Sequence, residues 1–164
     1  MTPATTKRDA VACAVLWLAS VFALNLAWEI AHARFYAMWT EAQRVEIARF
    51  LLHCTLGDVA IAFAAFALAG LMLRRADWLV SRPWIGSAIV VIVTTAYTVW
   101  SEWYNVYQAD NWAYAKNMPL IMGIGLTPLL QWLILPPLTT LICRVLWSRR
   151  PVRRNSPFFF RRTI

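Results

Sequence analysis

Between Arg49 and Arg74 the chain reads FLLHCTLGDVAIAFAAFALAGLML, residues 50–73, and only His53 and Asp58 interrupt its apolar and small side chains. A bilayer core of ~30 Å needs about 20 apolar residues of helix, so this stretch can cross one. It does not alternate every second residue as a barrel strand would. Three more runs free of charge and histidine flank it: Ala10 to Trp28, Pro83 to Ser101 and Asn117 to Cys143. The runs predict transmembrane helices near 10–33, 48–73, 83–106 and 119–147. The fold class is therefore all-α, a polytopic membrane protein built as a four-transmembrane-helix bundle. One domain covers 1–147, and a basic tail follows over 148–164.

Composition agrees. Of 164 residues 60% are hydrophobic and 15% charged, with sixteen Lys and Arg against eight Asp and Glu. So few charges cannot cover the outside of a soluble fold, which excludes an ordinary cytosolic enzyme, a disordered regulator and a soluble nucleic-acid binder. Lys7, Arg8 and the Ala31-His-Ala33 segment imitate a signal peptide, but the apolar run is longer than a usual h-region and reads as a retained helix.

Lys and Arg counts orient the spans. The N-terminus, the 74–82 loop and the tail from Arg144 carry twelve, whereas the 30–49 and 107–118 loops carry four. Both termini are expected in the cytoplasm, and the chain in the cytoplasmic (inner) membrane of a bacterium. Trp28, Trp39, Trp78, Trp84, Trp103, Trp112 and Trp147 fall near predicted helix ends, as an aromatic belt would. Six arginines around Phe158-Phe159-Phe160 in the tail are expected to clamp anionic lipid. Small residues in the second span mark it as the central helix, and Pro136-Pro137 should kink the fourth. Cys13, Cys54 and Cys143 form no CxxC and no haem motif; they are expected to be packing thiols, without a disulfide or cytochrome-type haem.

Ionisable residues inside membrane helices are expensive and point to function. With this topology Asn25, Glu29 and His32 end the first span, His53, Cys54 and Asp58 begin the second, and Thr98, Ser101, Glu102 and Asn105 end the third. Thr127 and Gln131 lie on the fourth. All fall in one leaflet half, the periplasmic one. Asn25–Glu29 and Glu29–His32 are helical neighbours, whereas His53 lies about 140° around the helix from Asp58. Asp58 sits ~13 Å beyond Arg49, so it must be protonated, paired or in a wet cavity. Asp58, Glu102, Glu29 and His53 are the candidate catalytic residues, sharing one cavity. Trp28, Tyr97, Trp103, Tyr114, Asn105 and Gln131 are the candidate substrate-binding residues, with Asn105 and Gln131 also read as interhelical hydrogen-bond glue. His32 is expected to face the headgroups.

The phrases Trp28-Glu29, His53-Cys-Thr-Leu-Gly-Asp58, Ser101-Glu-Trp-Tyr-Asn105, Trp112-Ala-Tyr114, Met118-Pro119 and Gly125-Leu-Thr-Pro-Leu-Leu-Gln-Trp132 resemble a group of small four-span bacterial inner-membrane proteins of uncharacterised activity. The resemblance covers roughly 20–140, implies the same topology and brings no chemistry with it. The tryptophan-rich sensory/translocator proteins share the Trp content, but they have five spans and a Trp-x-Pro-Pro pattern missing here. Sterol-isomerase-like membrane domains also gather carboxylates, without motifs that align.

Three functions compete. The first is acid/base chemistry on, or binding of, a lipid-like molecule such as an isoprenoid, since carboxyls in an apolar pocket suit proton transfer. No phosphate loop or dinucleotide fingerprint supports phosphoryl or hydride transfer. The second is metal or proton handling: Glu29-x-x-His32 has di-iron-like spacing and, with His53, Asp58 and Glu102, could bind a divalent metal, although one such motif is half of a di-metal set. The third is an assembly or accessory subunit whose buried polar groups set helix register. The partners expected are the bilayer, anionic lipid, a small lipid-like ligand and a second copy, with no nucleic acid.

Overall fold

The computed structural model describes residues 7–148, so the expected tail and its lipid clamp lie outside the described residues. Four long helices dominate: α1 (Lys7–His32), α3 (Arg44–Leu73), α5 (Pro83–Tyr107) and α6 (Leu126–Ser148). Each is long and apolar enough to cross a membrane. Short helices α2 (Met38–Glu41) and α4 (Trp78–Ser81) lie in connections, and a small hairpin, β1 (Leu120–Ile121) with β2 (Ile124–Gly125), precedes α6.

Local chemistry accounts for the boundaries. α3 begins four residues before the expected start because Gln43 and Glu46 form a capping box, with Gln43 N–H donating to Glu46 Oε2 at 2.9 Å. It ends where Arg74 enters the left-handed region at φ 52° and the Arg75 N–H returns to Gly70 C=O at 2.9 Å. Pro83 opens α5, where its missing N–H costs nothing. The expected fourth span from 119 is corrected: residues 120–125 form the hairpin, and α6 starts at Leu126. Met122 and Gly123 take φ of 50° and 84° in its two-residue turn, the pair of positive values that a tight hairpin turn requires. α6 runs unbroken as helix through Pro136 and Pro137.

The helices close a ring in which α1 packs on α3 and α6, and α5 packs on the same two; the diagonals scarcely touch. The expectation of a central second span is thereby corrected. α3 turns Ala62, Ala65 and Ala69 inward, while Ala60, Ala64 and Ala67 face outward, so its small residues divide between two faces instead of placing it at the centre. The ring is filled differently along its length. The half nearer the start of α1 is apolar, built from Trp17, Val21, Ala65, Ala69, Trp78 and Val90 among others. Trp78, expected in the aromatic belt, is fully buried there. Its ring lies over Gly86, where a Cβ would run into the six-membered ring of Trp78, and its indole N–H donates to Phe66 C=O at 3.2 Å. That satisfied donor lets an indole sit in an apolar core. Buried Thr55, Thr94 and Thr139 donate back to carbonyls four residues earlier, which hides their hydroxyls from apolar surroundings.

Candidate functional site

The other half of the ring holds the polar residues. Gln131, on the second turn of α6, is 2% exposed and lies among three acceptors. Its Nε2 donates to Asn25 Oδ1 at 2.8 Å and to Asp58 Oδ2 at 2.8 Å, with Glu29 Oε1 at 3.4 Å. Oxygens on every side fix which way this amide points. Asn25 is itself held, because its Nδ2 donates to Val21 C=O at 2.8 Å. One amide thus joins α1, α3 and α6.

Glu29 extends the network. Its Oε1 lies 3.1 Å from His32 Nε2, one helical turn on, and His32 Nδ1 lies 3.2 Å from Thr127 Oγ1. Thr127 in turn contacts Met118 Sδ at 3.4 Å. The expectation that His32 faces the headgroups is corrected, since it is 6% exposed. The chain leaves α1 through a 3-10 turn (Ala33–Phe35) that keeps the imidazole inside, against the edge of Tyr36 at 5.5 Å between ring centres.

Glu102 anchors a second group at the end of α5. The Tyr114 hydroxyl donates to Glu102 Oε2 at 2.6 Å, and the Tyr36 hydroxyl lies 3.3 and 3.4 Å from its two oxygens. Tyr114 also accepts from Gly125 N–H at 2.9 Å. The two tyrosines come from different loops paired through their backbones: Ala37 N–H donates to Ala113 C=O and Ala115 N–H to Phe35 C=O, both at 2.9 Å. That pairing sets both phenols over one carboxylate. Burial first, and then the Glu102 charge, pushes the Tyr36 hydroxyl well above its ordinary pKa; Tyr114 rises through burial and its bond to Glu102. Both remain neutral donors.

Glu29, Asp58, Glu102, His32 and His53 all border a cavity of about 270 Å³. His53 stands at its exposed edge, apart from the hydrogen-bonded network, as its angular offset from Asp58 anticipates. Tyr97, Asn105 and Gln131 line the cavity, and Tyr114 reaches it through Glu102. Asn105 is held by Ser101 and Asn111 at 2.8 and 2.7 Å. Two expected walls are elsewhere: Trp103 is 47% exposed on the outside of α5, and Trp28 lies outside the lining, its ring 6.4 Å from that of His32. Sequence reasoning did not single out Tyr36, and it set His32 in the site only through the Glu29-x-x-His32 metal-type pair. Tyr36 carried no intramembrane polar signal, whereas His32 was signalled by its spacing from Glu29.

Among the described residues no group of three or more His, Cys, Asp and Glu side chains could hold a metal ion. Cys13, Cys54 and Cys143 are in no disulfide among the described residues. Fold and site together define an all-helical protein with four membrane-length helices and a polar cavity at one end of the ring. No family model, curated protein or solved structure matches the chain.

Proposed function

We propose that the chain is a bacterial inner-membrane protein, both termini cytoplasmic, whose cavity binds the polar head of a lipid-like molecule and performs acid/base chemistry on it. The orientation rests on the twelve-to-four asymmetry of Lys and Arg and on the motif resemblance to small inner-membrane proteins. The observation that carries the function is the convergence of Glu29, Asp58 and Glu102 on one cavity. Glu29 and Asp58, sharing the Gln131 amide, are suited to carry one proton between them. Glu102, held by two neutral phenols, stands opposite as the second carboxyl. A proton donor and an acceptor on facing walls are what an isomerisation, hydration or dehydration requires. The Asp58 pair is the donor in this reading, Glu102 is the acceptor that takes a proton from the substrate, and His53 stands at the entrance.

The test is thermal stabilisation in detergent by prenyl alcohols of increasing length. A rise in Tm for the wild type that disappears in Asp58→Asn and Glu102→Gln supports the reading. Equal stabilisation of all three proteins, or of none, contradicts it. The same variants address the assembly-subunit reading, in which Asp58→Asn lowers accumulation and stability and no ligand acts on either protein.

A further inference from the structure

We propose that the cavity opens sideways into the bilayer between α3 and α5, at Gly57, so that a ligand enters from the membrane and leaves its tail there. The inference rests on the lipid-like ligand of the preceding reading and adds its route and the placing of its two ends.

The wall at this point is incomplete. Gly57, His53 and Tyr97 line the cavity and are exposed at the same time. A Cβ built on Gly57 would meet nothing within 4 Å, so open space stands where a neighbouring helix would otherwise pack. By contrast the end of the ring is roofed. The loops carrying Tyr36 and Tyr114 are joined by two backbone hydrogen bonds, and Trp112 sets its ring edge-on to Phe50, 6.1 Å away. The cavity is closed toward the helix ends and open on its flank.

The depth of this gap decides what can use it. Gly57 lies ~20 Å along α3 from Arg44 and ~12 Å beyond Arg49, well inside the apolar stretch. Hydrocarbon is what faces the gap there. Asp58 and Ser101 line the cavity behind the gap; beyond their bonds from Gln131 and Asn105 they keep acceptor capacity that acyl chains, which offer no hydrogen bonds, cannot use. Size points the same way. A cavity of about 270 Å³ has room for a head group and too little for the whole of a long chain. A long-chain ligand must therefore extend through the gap. Outside, Tyr97 begins a ladder of exposed aromatic rings on α5, with Trp100 5.6 Å from Tyr97 and Tyr104 stacked on Trp100 at 5.6 Å. This gives an emerging apolar tail a flat surface to lie on.

The test uses the full chain in nanodiscs of phosphatidylethanolamine and phosphatidylglycerol, with a radiolabelled fifteen-carbon prenyl alcohol dissolved in the bilayer. Gly57→Trp fills the gap; Ala64→Trp adds the same bulk to an exposed α3 position outside the cavity lining. The expected result is a loss of about tenfold or more in affinity, ~1.4 kcal/mol, for Gly57→Trp and wild-type affinity for Ala64→Trp. Equal binding by wild type and Gly57→Trp overturns the gap and leaves the ligand reading standing. No binding by wild type overturns both. Should Gly57→Trp fail to fold, a prenyl alcohol with a diazirine at its far end decides the matter on the wild type. Adducts within residues 53–61 and 97–104 support the gap, and adducts confined to 33–42 and 108–118 overturn it.

Discussion

The Nε2 of Gln131 lies 2.8 Å from Asp58 Oδ2, so that α6 and α3, on opposite corners of the ring, are tied across its axis by one hydrogen bond. The same nitrogen reaches Asn25 and comes within 3.4 Å of Glu29. A single amide therefore positions residues from three helices, and its removal should be felt by all of them.

Gln131→Leu is expected to lower stability by about 1–3 kcal/mol, the cost of stranding buried polar groups. The measurement is the midpoint of thermal unfolding in detergent. An unchanged midpoint would show that the amide organises nothing. Asn25→Ala, which removes one acceptor and leaves the others, should cost less.

Tyr114→Phe should destabilise more than Tyr36→Phe, because Tyr114 makes the 2.6 Å bond and also accepts from Gly125, whereas Tyr36 lies at 3.3 and 3.4 Å. A loss of about 1.5–3 kcal/mol fits a bond to a charged group. The double variant should depart from additivity, since both phenols serve one carboxylate. Strict additivity in a double-mutant cycle would separate the tyrosines from any shared role.

Both phenols ionise above the ordinary value of 10.0, through burial and the neighbouring carboxylate. A folded-state value above the unfolded one means that their contribution is complete below about pH 10. It declines as pH rises further, because the unfolded chain then loses these protons and the folded chain retains them. Ultraviolet titration of the wild type against Tyr36→Phe and Tyr114→Phe should show these two phenols ionising only above the ordinary value or on unfolding. Ionisation of both at the ordinary value in the folded protein would refute the geometry.

Gly86→Val should destabilise the apolar half by about 1–3 kcal/mol or more through overpacking, because Trp78 already occupies the space of its Cβ. Trp78→Ala should cost about 3–5 kcal/mol. Neither change touches the polar cavity, so ligand stabilisation should persist in any Gly86 variant that folds. Its loss there would tie the cavity to the core.

The spans and the layer in which the ionisable residues meet were legible because apolar run length and helical spacing are local properties. Asn25, Glu29 and His32 share a helix face by spacing alone, and Asp58 could only turn inward. The hairpin before α6 was obscured by apolar Leu120, Ile121 and Ile124, which read as helix although Pro119 precedes the hairpin and Gly123 sits in its turn. Trp78 read as an interfacial ring because a residue near a helix end carries no local sign of the glycine that will receive it. Tyr36 was invisible for a related reason. Its part depends on pairing with a loop 78 residues later, and no pattern in either loop announces that pairing.

Native mass spectrometry of the intact wild type, released from its own membranes, tests the central claim most directly. The account predicts a retained amphiphile at up to one copy per chain, lost in an Asp58→Asn, Glu102→Gln double variant that still unfolds cooperatively. A wild type carrying no such molecule, with no prenyl alcohol restoring one, would contradict it, as would equal retention by the double variant.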